Sequence, residues 1–403
     1  MVSGRDYGST VFARNHFMKI QRAVALLVIL ALAAASPASR AQGPAPVPAQ
    51  TELPIALLVD VTSGQVLYSR NADRRFVPAS ITKVMTLFHA FELIEEGDLD
   101  PRQTLVMSDE VWEEWGGEGS TMWINAGDRV AVDDLLTGIA NISANDGSAM
   151  LAEGQAGSIS AWLDGMNQRA RSLEMVNSHF GTPNGWPDEG RTFTTASDLV
   201  KLAQALISRH PQKYARYIGK PGFRYNDIEQ FNRDPMIGRV AGADGIKTGY
   251  TNESGLGYVG SAKRDGQRLV VVVAGISRGS IRARAARDLI EWGFDAFDRE
   301  RLYANGEVVA RARVQGGNSR SVALQTERDV FVNVPKGRLS ELSLRVEYDG
   351  PLRAPFDSGD HVATLVVDVP GMEPAHLPLL AAESVGDAGF FSRIYNGIAG
   401  WFS

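Results

Sequence analysis

Ser80-Ile81-Thr82-Lys83 places a hydroxyl and an amine three residues apart. Residues at that spacing share one face of a helix. Val84, Met85, Leu87, Phe88, Phe91 and Leu93 recur with helical periodicity, so the pattern predicts a helix that Ser80 opens. A serine becomes a useful nucleophile when a neighbouring base takes its proton. Lys83 can be that base if burial and a second cation lower its pKa, and Lys247, in Lys247-Thr248-Gly249, supplies the cation. Ser143, in Ser143-Ala144-Asn145, has a hydroxyl that can both donate and accept, which suits relay of a proton to a leaving amine. The Asn145 amide can grip Lys83 or a substrate backbone. Lys247 and Thr248 suit a substrate carboxylate. Gly249, without a side chain, lets an extended peptide approach a strand edge. The set equips a site for attack on an amide carbonyl by a serine, with no histidine required.

Other chemistries find less support. The chain has no cysteine, which excludes thiol catalysis, disulfides and thiolate metal sites. His16, His89, His179, His210, His361 and His376 are scattered and form neither H-E-x-x-H nor H-x-x-E-H, so a zinc peptidase is not indicated and no metal or organic cofactor is expected. His89, nine residues after Ser80, reads as a packing residue. Gly255-Leu256-Gly257-Tyr258-Val259-Gly260 fits G-x-G-x-x-G but runs into Ser261–Gly266 and another strand, so a hairpin is expected rather than a dinucleotide site.

S-x-x-K, S-x-N and K-T-G each occur by chance in many chains. Their order and wide separation here resemble the signature of penicillin-binding proteins and class A β-lactamases. Asn71–Ala79, leading into Ser80, resembles the low-molecular-mass D-alanyl-D-alanine carboxypeptidases. So do Gly119-Ser120-Thr121-Met122, Asn145-Asp146-Gly147, Met166-Asn167, Ser178-His179-Phe180, Thr195-Ala196-Ser197-Asp198-Leu199 and Asp244-Gly245-Ile246. The likeness covers roughly residues 51 to 380. It implies an acyl-enzyme mechanism on peptidoglycan stem peptides, removal of the terminal D-alanine, and covalent inhibition by β-lactams. It also implies an oxyanion hole made by the backbone N–H groups of Ser80 and Tyr250. Relatives often carry His after K-T-G where this chain has Tyr250, and Ser-Gly-Asn where it has Ser-Ala-Asn. Glu174-Met175-Val176-Asn177 resembles the E-x-x-N of class A β-lactamases, yet it lies in a run, Leu173–Phe180, that matches the carboxypeptidases. The alternatives are a D,D-endopeptidase or β-lactamase using the same residues, or a non-catalytic cell-wall-binding protein.

Lys19 and Arg22 precede the apolar run Ala23–Ala35, and Ser39-Arg40-Ala41 follows. This is a secretory signal peptide over residues 1–41, with Met18 a more typical start than Met1. Removing it takes five basic residues and one acidic one, leaving 36 against 46 and a net charge of −10. That balance argues against nucleic-acid binding. Residues 42–52 read as a flexible spacer. At the other end, Phe390, Phe391, Ile394, Tyr395, Ile398, Trp401 and Phe402 recur at helical spacing. Residues 386–403, and 388–403 most directly, are expected to form an amphipathic helix lying in the membrane interface. A secreted enzyme on the periplasmic face of the inner membrane is the expected location.

Between these ends the fold expected is α+β. A hairpin, Ala56–Val61 with Gln65–Tyr68, precedes helical patterns from Ser80, near Val132, over Ser158–Leu173 and Ala196–Ser208. Strands return at Gly257–Ala262 and Gln267–Ile276, and a helix follows over Ile281–Phe297. This pattern implies an antiparallel sheet with helices on its faces plus a helical lobe, and the resemblance implies that residues 53–298 form a β-lactamase/transpeptidase-like catalytic domain. The alternating runs Val308–Val314, Leu342–Tyr348 and Val362–Val367 imply a small all-β sandwich over 299–385.

Overall fold

The computed structural model describes residues 46–48 and 50–388. The chain divides into two compact units, one from Pro46 to Ala296 and one beginning at Phe297. The leader over 1–41 and the amphipathic run from residue 389 lie outside the described residues.

The first unit opens with β1 (Ile55–Asp60) and β2 (Gln65–Arg70). The Asp60 carboxylate accepts from the Thr62 and Ser63 N–H groups and shapes the turn between them. Then come α1 (Lys83–Glu96), β3 (Thr104–Val106), α2 (Asp109–Trp115), β4 (Arg129–Ala131), α3 (Val132–Asn141), α4 (Asn145–Ala156), α5 (Ile159–Ser172), α6 (Ala196–Arg209) and α7 (Pro211–Tyr217). A small hairpin, β5 (Gly222–Tyr225) with β6 (Ile228–Phe231), leads to β7 (Ala243–Thr251), β8 (Gly255–Arg264), β9 (Gln267–Ile276) and α8 (Gly279–Asp295). The five-stranded sheet is antiparallel in the order β2-β1-β9-β8-β7. Strands before and after the helical block therefore close one sheet, as the sequence pattern implies. G-x-G-x-x-G lies within β8 and runs on to β9, so it opens no helix.

Helix ends follow their capping residues. Ser158 and Thr195 accept from the Ala161 and Asp198 N–H groups and start α5 and α6. α1 differs from expectation. It begins at Lys83, and Ser80 lies in the 3-10 turn Ala79–Thr82 that feeds it, because the left-handed Ala79 (φ 52°) breaks α geometry just before Ser80. The apolar face of α1, with Val84, Met85, Leu87, Phe88 and Phe91, is buried in a core shared with α3, α4, α5, α6 and the sheet. Each such side chain contributes about 1.5–3 kcal/mol, enough together to fix the helix carrying Lys83.

The second unit contains β10 (Phe297–Tyr303), β11 (Val308–Gln315), β12 (Ser321–Thr326), β13 (Val330–Pro335), β14 (Ser343–Glu347), β15 (Leu352–Arg353), β16 (His361–Asp368) and β17 (Ala375–Ala381). A six-stranded sheet, β14-β16-β17-β12-β11-β15, and the pair β10-β13 share one core. Val330, Val332 and Val334 meet Val322, Leu324, Leu365 and Leu379 there, which makes the unit an all-β domain.

Candidate active site

The Ser80 turn is held from two sides. Below it, Gly185 (φ 78°) comes so close that an added Cβ would stand 1.8 Å from the Ala79 carbonyl oxygen, so only glycine fits. On the other side, a Cβ at Gly249 would lie 2.5 Å from the Pro78 oxygen and 3.1 Å from Ile81 Cγ1. Lys247-Thr248-Gly249 therefore closes directly on the segment carrying Ser80. Gly249 gains a use that its sequence context did not suggest, close packing against this turn. β7 is the terminal strand of its sheet, which leaves one of its edges free of a strand partner among the described residues.

Lys83 is fully buried and meets three acceptors. Its Nζ lies 3.1 Å from Ser80 Oγ, 2.8 Å from Asn145 Oδ1 and 2.6 Å from the Asn184 carbonyl oxygen. Burial holds its pKa well below the usual lysine value, the charge of Lys247 lowers it further, and Asp146 partly offsets both. A neutral amine has two protons and one lone pair. With the protons donated to Asn145 and Asn184, the lone pair faces the Ser80 hydroxyl.

Each of those acceptors is itself fixed. Asn145 begins α4 and donates through Nδ2 to the Glu118 carbonyl (2.9 Å), while its N–H donates to the Ser120 carbonyl (2.7 Å). This orients Oδ1 toward Lys83. Asn184 is pinned by the Trp186 N–H donating to its Oδ1 (3.0 Å), and the neighbouring Pro183 carbonyl accepts from Thr86 Oγ1 (2.5 Å). The buried Asp146 carboxylate accepts from the N–H groups of Met122, Ile124 and Gly147 at 2.7–3.3 Å. Burial pushes its pKa up against these donors. Ser143 lies two residues before Asn145, at φ 69°, and is buried.

Lys247 is also buried, and its pKa falls to about 7, first through burial and then through the charges of Arg233 and Arg282, against the opposing Asp234. Its Nζ donates to the Thr248 carbonyl at 3.2 Å. The Tyr258 hydroxyl, in β8, lies 2.9 Å from Asp234 Oδ2 and 3.0 Å from the Gly245 carbonyl, which ties Asp234 beneath β7. Tyr250 turns its ring outward, with its hydroxyl donating to Asn252 Oδ1.

Ser80, Lys83, Asn145, Lys247 and Gly249 thus come together from an N-terminal turn, a helix start and an edge strand. Sequence reasoning missed the Asn184 carbonyl, for which no side-chain signal exists, and the cations Arg233 and Arg282, which belong to no motif. His89 packs edge-on against Trp162 with ring centroids 4.5 Å apart, and burial lowers its pKa to about 4, as a packing residue requires. Glu174 gives its carbonyl to Lys201, and Asn177 gives its amide oxygen to Arg75.

A buried lysine poised on a serine, between an antiparallel sheet and a helical lobe, defines a serine acyl-transfer site. The D-alanyl-D-alanine carboxypeptidase family model matches residues 42–277, and the chain belongs to that family. Residues 297–387 match the penicillin-binding protein 5 C-terminal domain. D-alanyl-D-alanine carboxypeptidase DacA of Haemophilus influenzae is 30% identical over 352 residues, 87% of this chain and 89% of that one. DacD of Escherichia coli is 31% identical over 343 residues, 84% and 88% respectively. Among solved structures, penicillin binding protein 5 from Haemophilus influenzae superposes with a TM-score of 0.74 at 29% identity, over 83% of this chain and 98% of that one. Penicillin-binding protein D2 from Listeria monocytogenes, in its ampicillin-bound form, gives 0.55 at 27% identity, over 60% and 98%.

Proposed function

We propose that this protein is a serine D-alanyl-D-alanine carboxypeptidase that removes the terminal D-alanine from peptidoglycan stem pentapeptides. The observation that carries the reading is the Lys83 amine 3.1 Å from Ser80 Oγ, buried and held by two further acceptors. The Ser80 proton passes to neutral Lys83 as Oγ forms a bond to the carbonyl carbon of the penultimate D-alanine. The backbone N–H groups of Ser80 and Tyr250 receive the oxyanion. The carbon–nitrogen bond then breaks, and the proton on Lys83 reaches the leaving amine through Ser143. Water attacks the resulting ester by the reverse proton path and frees Ser80. Lys247 and Thr248 hold the terminal carboxylate of the substrate, and Asn145 orients Lys83 and the peptide backbone. A β-lactam acylates Ser80 by the same first step, a reading supported by the ampicillin-bound relative.

Mass spectrometry of products from a D-Ala-D-Ala-terminated pentapeptide tests this directly. The expected product is the tetrapeptide plus D-alanine, lost in Ser80→Ala together with fluorescent penicillin labelling. Undiminished labelling of Ser80→Ala would remove Ser80 from its role. Cleavage of a crosslinked dimer, with the pentapeptide left intact, would make the enzyme an endopeptidase.

Residues 1–41 act as the export signal in this reading, and residues 388–403 hold the enzyme at the periplasmic face of the inner membrane. Among the described residues, no helix is long and apolar enough to cross a membrane. Removing residues 388–403 is expected to release the enzyme from membranes with small-peptide activity kept.

A further inference from the structure

Each buried lysine of the site faces a carboxylate that it does not touch. Lys83 Nζ meets Ser80, Asn145 and the Asn184 carbonyl, while the charge of Asp146 acts on it from outside that set. Lys247 Nζ donates to the Thr248 carbonyl, and the charge of Asp234 acts on it in the same way. The Asp234 carboxylate is caged by its own loop. Its N–H donates to Asn232 Oδ1 at 2.9 Å, and its Oδ1 accepts from the Met236 and Ile237 N–H groups at 2.8 and 3.1 Å. Asn232 Nδ2 donates to the Lys220 carbonyl at 2.9 Å, which fixes the loop at its entry. From β8 the Tyr258 hydroxyl closes the cage, 2.9 Å from Oδ2. A Cβ at Gly260 would stand 2.3 Å from the Tyr258 ring, so the missing side chain there makes room for that ring. Asp234 and Tyr258 are both buried. Burial pushes the Asp234 pKa up, and the backbone donors, Tyr258 and Lys247 oppose that rise.

The other charges around Lys247 are cations. Lys83 faces it from α1, Arg233 from the segment before β7 and Arg282 from α8. Arg233 and Arg282 oppose its ammonium form throughout, and Lys83 joins them once the Ser80 proton has reached it. Asp234 favours that ammonium, and it favours Arg282 as well. Tyr214 of α7 and Asp244 of β7 act on Tyr258, one step removed from Lys247. We propose that Asp234, held by Tyr258, is a positioning residue for the reaction: a counter-charge set back from Lys247 that keeps its ammonium available to the substrate carboxylate. A direct ion pair would occupy the donors of Nζ. A caged carboxylate out of contact favours the charge and leaves those donors for the substrate. The proposal rests on the carboxypeptidase reading above, in which Lys247 holds the terminal carboxylate.

The test is the pH dependence of KM for D-alanine release from a D-Ala-D-Ala-terminated pentapeptide, with the full chain as wild type, Asp234→Asn and Tyr258→Phe. Asp234→Asn removes the charge and keeps Oδ1 for Met236 and Ile237. Its new amide can donate to the Tyr258 hydroxyl, whose own proton then serves the Gly245 carbonyl 3.0 Å away. The alkaline rise of KM, placed at about 7 by Lys247, is expected to move down by about one pH unit. At about pH 7.5 this reads as a roughly five- to tenfold higher KM, and at about pH 5.5 the variant agrees with wild type within about twofold, because Lys247 is charged in both. Tyr258→Phe keeps the ring and takes a donor from Asp234, so the rise moves the same way by a smaller step. A merely structural role would raise KM at every pH. A KM raised equally at both pH values, or an alkaline rise left at its wild-type position in either variant, overturns the proposal and leaves the carboxypeptidase reading standing. If Asp234→Asn does not fold, Tyr258→Phe decides on the same criteria. A wild-type enzyme that releases no D-alanine overturns both readings.

Discussion

Gly249→Ala is expected to separate the nucleophile from its base without unfolding the protein. The new methyl would stand 2.5 Å from the Pro78 carbonyl oxygen and 3.3 Å from the Ile81 nitrogen, both backbone atoms that cannot rotate away. Relief to a bearable contact near 3.0 Å requires β7 and the Ser80 turn to part by at least about 0.5 Å. Ser80 lies between Pro78 and Ile81, so Oγ moves with the turn. Lys83 Nζ does not follow, since Asn145 and the Asn184 carbonyl hold it. Overpacking of this kind costs about 1–3 kcal/mol. Felt at the acylation step, that is a loss of about five- to 160-fold in rate. The assay is the second-order rate of labelling by a fluorescent penicillin, with thermal unfolding measured alongside. Gly279→Ala is the control, because nothing lies within 4 Å of its Cβ position. A Gly249→Ala enzyme labelled within about twofold of wild type would refute the claim that this contact sets the Ser80–Lys83 distance.

Two further outcomes follow from the buried charges. Lys83 works as a base when neutral, so acylation should rise as pH climbs through its lowered pKa. Lys247 is charged below about 7 and neutral above, so KM for the carboxylate-bearing peptide should rise on the alkaline side of about 7. Lys247→Arg, charged throughout, should remove that alkaline limb, and a limb that persists unchanged would assign it elsewhere. Asp146→Asn keeps one acceptor oxygen where the carboxylate now serves Met122, Ile124 and Gly147, and each backbone donor left unpaired costs about 1–3 kcal/mol. A clear fall in Tm together with slower penicillin labelling is expected, and an unaltered melting curve would contradict it.

The site was legible where chemistry needs particular side chains. Ser80, Lys83, Asn145 and Lys247 stand out because an amine within reach of a hydroxyl, with a second cation near, is a rare requirement. The sheet was legible because β1 and β9 are apolar along their length and can only be satisfied inside a layer. α4 was not, since Asn145-Asp146-Gly147-Ser148 and a mid-helix Gly154 give it no apolar periodicity. It is buried nearly all round from Asn145 to Ala152, and tertiary packing decides its shape. The start of α1 was misplaced by one turn because propensity carries no account of how closely Gly185 and Gly249 press on the residues before Lys83. The Asn184 carbonyl left no trace at all, since any residue presents a backbone oxygen and only the path of the loop aims it.

The strand order β2-β1-β9-β8-β7 has a consequence for how this enzyme is born. β9, the strand that joins the two halves of the sheet, is the last of the five to leave the ribosome. Until Gln267–Ile276 has been made, the hairpin leading to Ser80 and the hairpin carrying Lys247 have no shared partner. Closing that span has an entropic cost that local contacts cannot offset. A nascent chain that ends before β9 therefore has no complete sheet on which to set the Ser80 turn beside Lys247. The serine gains its full set of neighbours only once the strands of the first unit have all been made.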